Sequence, residues 1–429
     1  MIKYNYKKIP NATTATIRVV VNAGSNMEDL PGTAHFLEHM IFKGTLDNSY
    51  EEINKKISRL GSTNAYTSSD KTVFHIVTTV EGIKEATETL LEMVTRPAID
   101  VEELEKEKGV ILEEYRSSKD DSFGFLYDSA CFALTNGETH SILGDENSIK
   151  SMSDLVIREF YKKHYTQNNI CINLVGNLSG FTEAAFKKII QKYESNLQTG
   201  ELQEPVSFNL KKNGTLDEPQ TVNLNFPCQQ NYVSLWFNAP NVKENLEANL
   251  IADIFCNMIG GGFHSLFSNR LREQLALCYS CNIAMDSIGT QKKFIAYAAL
   301  GEENIDKCIL EMKNIIRDVA AGNFSDEVLE ISKANASFNM AKFLQTPSGH
   351  AAILDDVFEY GFYDPSLDLK ELSYEKIKDM LYNVSKDDLQ NFALKIINGS
   401  DFDVVILKGN LGKPTLFERF KKLFKGERK

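Results

Sequence analysis

The sequence lacks any stretch approaching the roughly 20 consecutive apolar residues that cross a bilayer, and its opening, MIKYNYKKIPNATT, has no apolar run long enough for a secretion signal. The expectation is a cytoplasmic protein with no membrane partner. Positive charge is in deficit: 47 Lys and Arg against 59 Asp and Glu leave a net charge of −12, a field that repels nucleic acid and anionic lipid as main partners. A local exception is the basic FERFKKLFKGERK at the C-terminus. Cysteine is sparse. Seven thiols, at positions 131, 171, 228, 256, 278, 281 and 308, are an odd number scattered along the chain, unlike a disulfide-stapled scaffold, and read as reduced core thiols. Cys278 and Cys281 form a C-x-x-C without a second pair inside the strand-like LALCYSCNIAM, so packing explains them better than a redox or zinc site. Low-complexity segments and long single-sign charge blocks are missing too. What remains is a globular composition, 42% hydrophobic and 25% charged, in a 429-residue chain long enough for two or more domains.

One pattern is written twice. ATIRVVVNAG, β-branched and extended in character, precedes a loop at 26–32 and a helical pattern from about Thr33. NYVSLWFNAP precedes ENLEANLIADIFCNMI in the same order, and ICINLVGNL at 170–178 is matched by DFDVVILKGNL at 401–411. The copies are offset by 216 residues at Asn22/Asn238 and by 233 at Gly176/Gly409, so the second carries a modest insertion. The expected fold class is α+β: two homologous domains, 1–205 and 215–429, each a mainly antiparallel sheet covered by helices. Their junction falls in the polar, Pro/Gly-bearing segment 198–220.

The chemistry concentrates in PGTAHFLEHMIFKGT. Pro31 and Gly32 close a loop, Thr33 is the expected helix N-cap, and His35 and His39 stand at i and i+4 on one helix face. That spacing suits a two-imidazole grip on zinc, and Glu38 sits beside His39 where a carboxylate can reach a water at the metal. A catalytic zinc needs a third protein ligand and an open position. In DVEELEKEKGVILEEYR the apolar stripe is Leu104, Ile111 and Tyr115; Glu113 points away from it, whereas Glu107 and Glu114 lie together on its flank. Glu114 is thus the expected third ligand and Glu107 a carboxylate behind the ligands that orients one of them.

These segments resemble the pitrilysin/insulinase family of inverted-motif zinc metallopeptidases, in the branch that includes mitochondrial processing peptidase and its bacterial relatives. The resemblance covers nearly the whole chain. It implies His35, His39 and Glu114 as ligands of one Zn2+ per chain, Glu38 as catalytic base and Glu107 as the accessory glutamate. It further implies that Asn64 and Ala65, within LGSTNAYTSSDKTVFHIVTT, lie on an edge strand that takes up a peptide. In GGGFHSLFSNRLREQLALCYS it implies that Arg272 and Tyr279 act as substrate-binding donors to the carbonyl and the developing oxyanion. The triple glycine lacks the Lys-Ser/Thr of a phosphate loop.

The second copy has no H-x-x-E-H, and the region matching Glu114 reads ISKANASFNM around Asn339. His75, His140, His164, His264 and His350 lie outside ligand spacing and read as packing or surface residues. The resemblance implies a zinc-dependent endopeptidase acting on peptides or unfolded and precursor polypeptides, working as a homodimer or as a heterodimer with a related subunit. The competing reading is a non-catalytic partner or scaffold subunit of such a two-chain peptidase.

Overall fold

The computed structural model of the chain describes residues 2–203, 206, 208, 219–240, 246–289, 291–360, 373–399 and 402–410. Strand β1 (Lys3–Lys8), β2 (Thr14–Val21), β3 (Gly61–Thr67), β4 (Thr72–Thr79) and β5 (Ile170–Gly176) form one sheet in the order β1-β5-β2-β4-β3. Strand β6 (Thr221–Phe226), β7 (Asn231–Asn238), β8 (Cys278–Ile288), β9 (Gln291–Leu300) and β10 (Asp403–Gly409) form a second, in the order β6-β10-β7-β9-β8. The two orders superpose strand for strand. In each sheet one pair, β1/β5 or β6/β10, is parallel and the remaining pairs are antiparallel. The fold is therefore a two-domain α+β duplication. Residues 209–218, within the segment where the sequence puts the junction, and the basic C-terminal segment lie outside the described residues.

The β-branched run of β2 is buried from Ala15 to Val21, on both faces rather than alternately. The helices explain this. On one face lies the apolar core of the first half, gathered around Ile17, Val19, Phe36, Leu37, Phe74 and Leu90. On the other lies a helix donated by the second half.

Of the helices, α1 (Thr33–Ile41), α2 (Val101–Ser118) and α3 (Ser122–Leu134) belong to the first half, and α4 (Leu246–Gly260) and α5 (Asp326–Phe343) to the second. A sixth, α6 (Pro347–Tyr360), leaves its own half and packs on β2 and β5. The first half reciprocates: α3 packs on β6 and β10, where Leu126, Ala130 and Leu134 meet Trp236, Val405 and Leu407. Each sheet is thus sandwiched by a helix from the other copy.

Under α6 the sheet carries a row of polar residues instead of apolar ones. Asn5, Asn173, Arg18, His75 and Asn64 stand in register across β1, β5, β2, β4 and β3. Asp355 of α6 closes on this row: it accepts from Arg18 Nε at 2.7 Å and from Asn173 Nδ2 at 2.6 Å. Asn5 Nδ2 donates to Asn173 Oδ1 at 2.8 Å. A charge buried so deeply requires such partners.

Candidate metal centre

Helix α1 starts one residue away from the simplest sequence expectation. Gly32, not Thr33, takes the cap position, with a left-handed φ of +89°. A Cβ there would meet Leu143 O at 2.7 Å, so the position requires glycine. The first-turn amides are capped from outside. Glu28, whose side chain is fully buried, accepts from the backbone N–H of Gly32 at 2.5 Å and of Ala34 at 2.6 Å. Burial pushes its carboxyl up to about 8, against the lowering effect of those backbone donors.

From this anchored start, His35 and His39 project from the same face with ring centroids 4.6 Å apart. The 18-residue helix α2 packs across α1 and brings Glu114 Oε2 to 3.8 Å from His35 Nε2 and 3.6 Å from His39 Nε2. Glu113 points elsewhere and pairs with Arg116 on the surface. Among the described residues, His35, His39 and Glu114 form the one cluster of such side chains able to hold a metal ion, with donor atoms all within 4.8 Å of one another. Four-coordinate zinc with ligands at about 2.0–2.1 Å separates neighbouring donors by roughly 3.3 Å, so the trio fits that ion with small adjustments.

The electrostatics suit a cation. His35 is 8% exposed, and burial together with the nearby His39 holds its pKa down to about 3, so the imidazole is neutral and its lone pair available. His39 Nδ1 lies 2.8 Å from Glu107 Oε1. With the proton on Nδ1, His39 presents Nε2 toward Glu114 as a bare donor. Glu107 is itself buried and also meets Lys43 Nζ at 2.5 Å. Burial would raise its carboxyl, but the hydrogen bonds from His39 and Lys43 outweigh burial and hold it below the ordinary range.

Glu38 is 9% exposed beside this group, and its Oε2 accepts from Thr67 Oγ1 at 2.6 Å. Burial raises the Glu38 carboxyl, with the Thr67 hydrogen bond opposing it. Thr67 ends β3, the edge strand of its sheet, and Asn64 and Ala65 lie on that same strand. Asn64 Oδ1 accepts from the Ala65 N–H at 2.9 Å.

Arg272 and Tyr279 stand on the second half. Arg272 belongs to a π-helical turn, Ser268–Gln274, which packs against β8. Its Nε lies 3.3 Å from Glu273, and its guanidinium sits 5.6 Å from the ring centre of Phe263. Tyr279 is 81% exposed at a register irregularity between Cys278 and Ser280. The structure therefore brings together His35, Glu38, His39, Glu107 and Glu114, and gives Arg272 neighbours of its own half.

Helix α5 is the counterpart of α2 and has the same length, with Asn339 at the place of Glu114. Its Nδ2 lies 3.5 Å from Asn257 Oδ1 on α4. Two neutral amides thus meet where the first half opposes imidazole and carboxylate. Sequence reasoning missed Lys43, Thr67 and Glu28. Lys43 follows His39 by four residues, a spacing that could have exposed it; no spacing rule links Thr67 or Glu28 to the motif.

Residues 4–133 match the family model described as insulinase (peptidase family M16), and residues 153–336 match the model described as peptidase M16 inactive domain. Among curated proteins, an uncharacterized zinc protease of Rickettsia bellii is 25% identical over 426 residues, covering 96% of each chain. The mitochondrial-processing peptidase subunit beta of Saccharomyces cerevisiae is 26% identical over 410 residues, covering 90% of this chain and 84% of the relative. A solved structure of a Helicobacter pylori protease matches the fold with a TM-score of 0.78 at 21% identity, covering 94% of this chain and 96% of the other. A Pseudomonas fluorescens structure described as peptidase M16 inactive domain matches with a TM-score of 0.80 at 16% identity, covering 96% of both chains. With these matches spanning both halves, the chain belongs to the M16, or insulinase, peptidase family.

Proposed function

We propose that this protein is a zinc-dependent endopeptidase that hydrolyses peptides or unfolded polypeptides, holding one Zn2+ per chain on His35, His39 and Glu114. The observation that carries the reading is the convergence of these three donors beside the buried carboxylate of Glu38. Relatives named zinc proteases support the choice of metal.

The chemistry that zinc supplies when bound is Lewis-acid polarisation of an oxygen ligand. Glu38 takes a proton from the attacking water and passes it to the departing amine. Its burial makes it a stronger base than an exposed carboxylate, and Thr67 fixes which oxygen stays free. Glu107, held by Lys43, keeps His39 in one tautomer and one orientation. The outer edge of strand β3, with Asn64 and Ala65, takes up an extended peptide as a further strand, the peptide replacing the Asn64 side chain as partner of the Ala65 N–H. Arg272 and Tyr279 of the second half donate to the substrate carbonyl once a peptide lies between the halves. The active unit is a dimer, either of two copies or with a related subunit, in keeping with a relative that is named as a subunit.

The test is a Glu38→Gln variant. It is expected to bind zinc with unchanged stoichiometry while turnover of a peptide library, followed by mass spectrometry with and without a chelator, falls at least about a thousandfold, the loss of proton transfer at the reacting water. Full activity in that variant, or zinc binding without cleavage of any peptide by the unmodified chain, would replace this reading with the non-catalytic subunit.

A further inference from the structure

Edge strand β3 has two faces that look into different surroundings. On one face Thr67 reaches Glu38. On the other lie Asn64 and Tyr66, the side of the sheet that carries Arg18: Asn64 pairs with His75 and His75 with Arg18 in register, and the Tyr66 hydroxyl lies 3.4 Å from Arg18 Nη2. Past Arg18 a cavity of about 440 Å³ opens between the halves, lined among others by Asn339, Lys342, Phe343, Thr346 and Ser348.

The charge in this cavity is opposite to that of the chain as a whole, which carries −12. Arg18 is met by Asp355 behind it, so the uncompensated charge of the lining is that of Lys342. Lys342 is exposed at the last turn of α5 and, among the described residues, has no ion-pair partner. None of the lining side chains is acidic. Phe343 supplies an apolar wall, and Thr346 and Ser348 supply hydroxyls. Together these features suit a short aliphatic stem ending in an anion.

A strand added to β3 places its own side chains alternately on the two faces. Residues opposite Ala65 and Thr67 turn toward Glu38, and those opposite Asn64 and Tyr66 turn toward the side of the sheet that carries Arg18, whose cavity Lys342 also lines. We propose that this cavity is a subsite for a carboxylate of the bound peptide, an Asp or Glu side chain or the chain terminus, presented by the residues that alternate with those facing Glu38. The proposal rests on the peptidase reading and names the substrate class that reading leaves open: acidic peptides.

The experiment uses the full chain with extended peptides in which one residue is Glu, Gln or Lys at each position in turn, each made with a free or an amidated C-terminus. Binding to the Glu38→Gln protein is read by fluorescence anisotropy, and cleavage by the unmodified protein by mass spectrometry. Glu over Lys is expected to favour binding by about threefold to fivefold at alternate positions only, the size of one partly exposed charge pair. Lys342→Glu should invert that ratio while leaving the buried Arg18–Asp355 pair intact. The amidated series separates a terminal carboxylate from a side chain as the occupant. Equal affinity for the Glu, Gln and Lys peptides, or a preference that Lys342→Glu does not change, overturns the subsite. Acid-selective binding without cleavage would sink the peptidase reading and leave the subsite standing; cleavage with no charge preference would do the reverse.

Discussion

Thr67 Oγ1 lies 2.6 Å from Glu38 Oε2, so the carboxylate beside the histidine pair is tied to the edge strand of the sheet rather than to its own helix. Glu38 is otherwise enclosed, at 9% exposure, and its free oxygen is the one not facing Thr67. A peptide added along β3 would therefore lie on the same strand that orients the base. Binding and proton transfer share a mechanical support.

Replacing Thr67 by Val keeps the shape and deletes the donor. A charge-assisted hydrogen bond contributes about 1.5–3 kcal/mol, and its loss lets the Glu38 side chain sample other rotamers. The expected result is a kcat reduced about tenfold or more with KM changed less than about twofold, and near-full recovery in Thr67→Ser. Steady-state kinetics on one peptide decides it; a loss in KM alone would mean that Thr67 serves only the strand.

Lys43 acts through Glu107 on His39. Glu107→Gln removes the charge that holds the Nδ1 proton of His39, and Lys43→Met removes one of the donors that keep Glu107 ionised. Partners of this kind change metal affinity by about 10–100-fold. Competition against a chromophoric chelator should show zinc binding weakened by that order in Glu107→Gln and by less in Lys43→Met. Equal affinity in all three proteins would reduce both residues to packing.

Much of this site is legible in the sequence because helices translate spacing into geometry. His35 and His39 share a face, and helix phase alone separates Glu114 from Glu113. The duplication is legible for the same kind of reason: strand and helix patterns recur in order, and the two sheets repeat one strand order. The exchange of α3 and α6 between the halves is not legible, because an amphipathic helix does not encode which sheet it will cover. Nor is the Asn5–Asn173–Arg18–His75–Asn64 row, whose members come from five strands and meet only through register. Thr33 shows the residual ambiguity at helix ends: a hydroxyl residue in the right place loses the cap position to a glycine that the neighbouring chain at Leu143 demands.

His164 gives a pH prediction. It is 2% exposed, and burial, helped by Lys163, lowers its pKa from 6.5 to about 4; His75 is lowered to about 4 by burial and by Arg18. Such imidazoles are harder to protonate in the folded chain than in the unfolded one. As pH falls below about 6.5 the unfolded chain takes up protons first, so stability present above that pH declines progressively toward pH 4. Melting temperature against pH should drop in this window, and His164→Gln should flatten the drop. An unchanged slope in the variant would show that His164 is protonated without unfolding.

The joint between the halves turns on one buried ion pair. Arg18 and Asp355 are 337 residues apart in sequence, with side chains 7% and 2% exposed, and they close α6 onto the first sheet. Deleting one partner strands a buried charge, which costs about 3–5 kcal/mol, whereas replacing both by apolar groups of similar volume is often neutral. Asp355→Ala should therefore lower the urea midpoint much more than Arg18→Met combined with Asp355→Leu. Two outcomes carry different meanings. If the single change is the more damaging, the polar row is retained at the joint although an apolar one would hold as well, and its use is then in function, beside the cavity that Arg18 lines. If the double change is the worse, the pair and its link to Asn173 are what seats α6, and the joint itself depends on the charge.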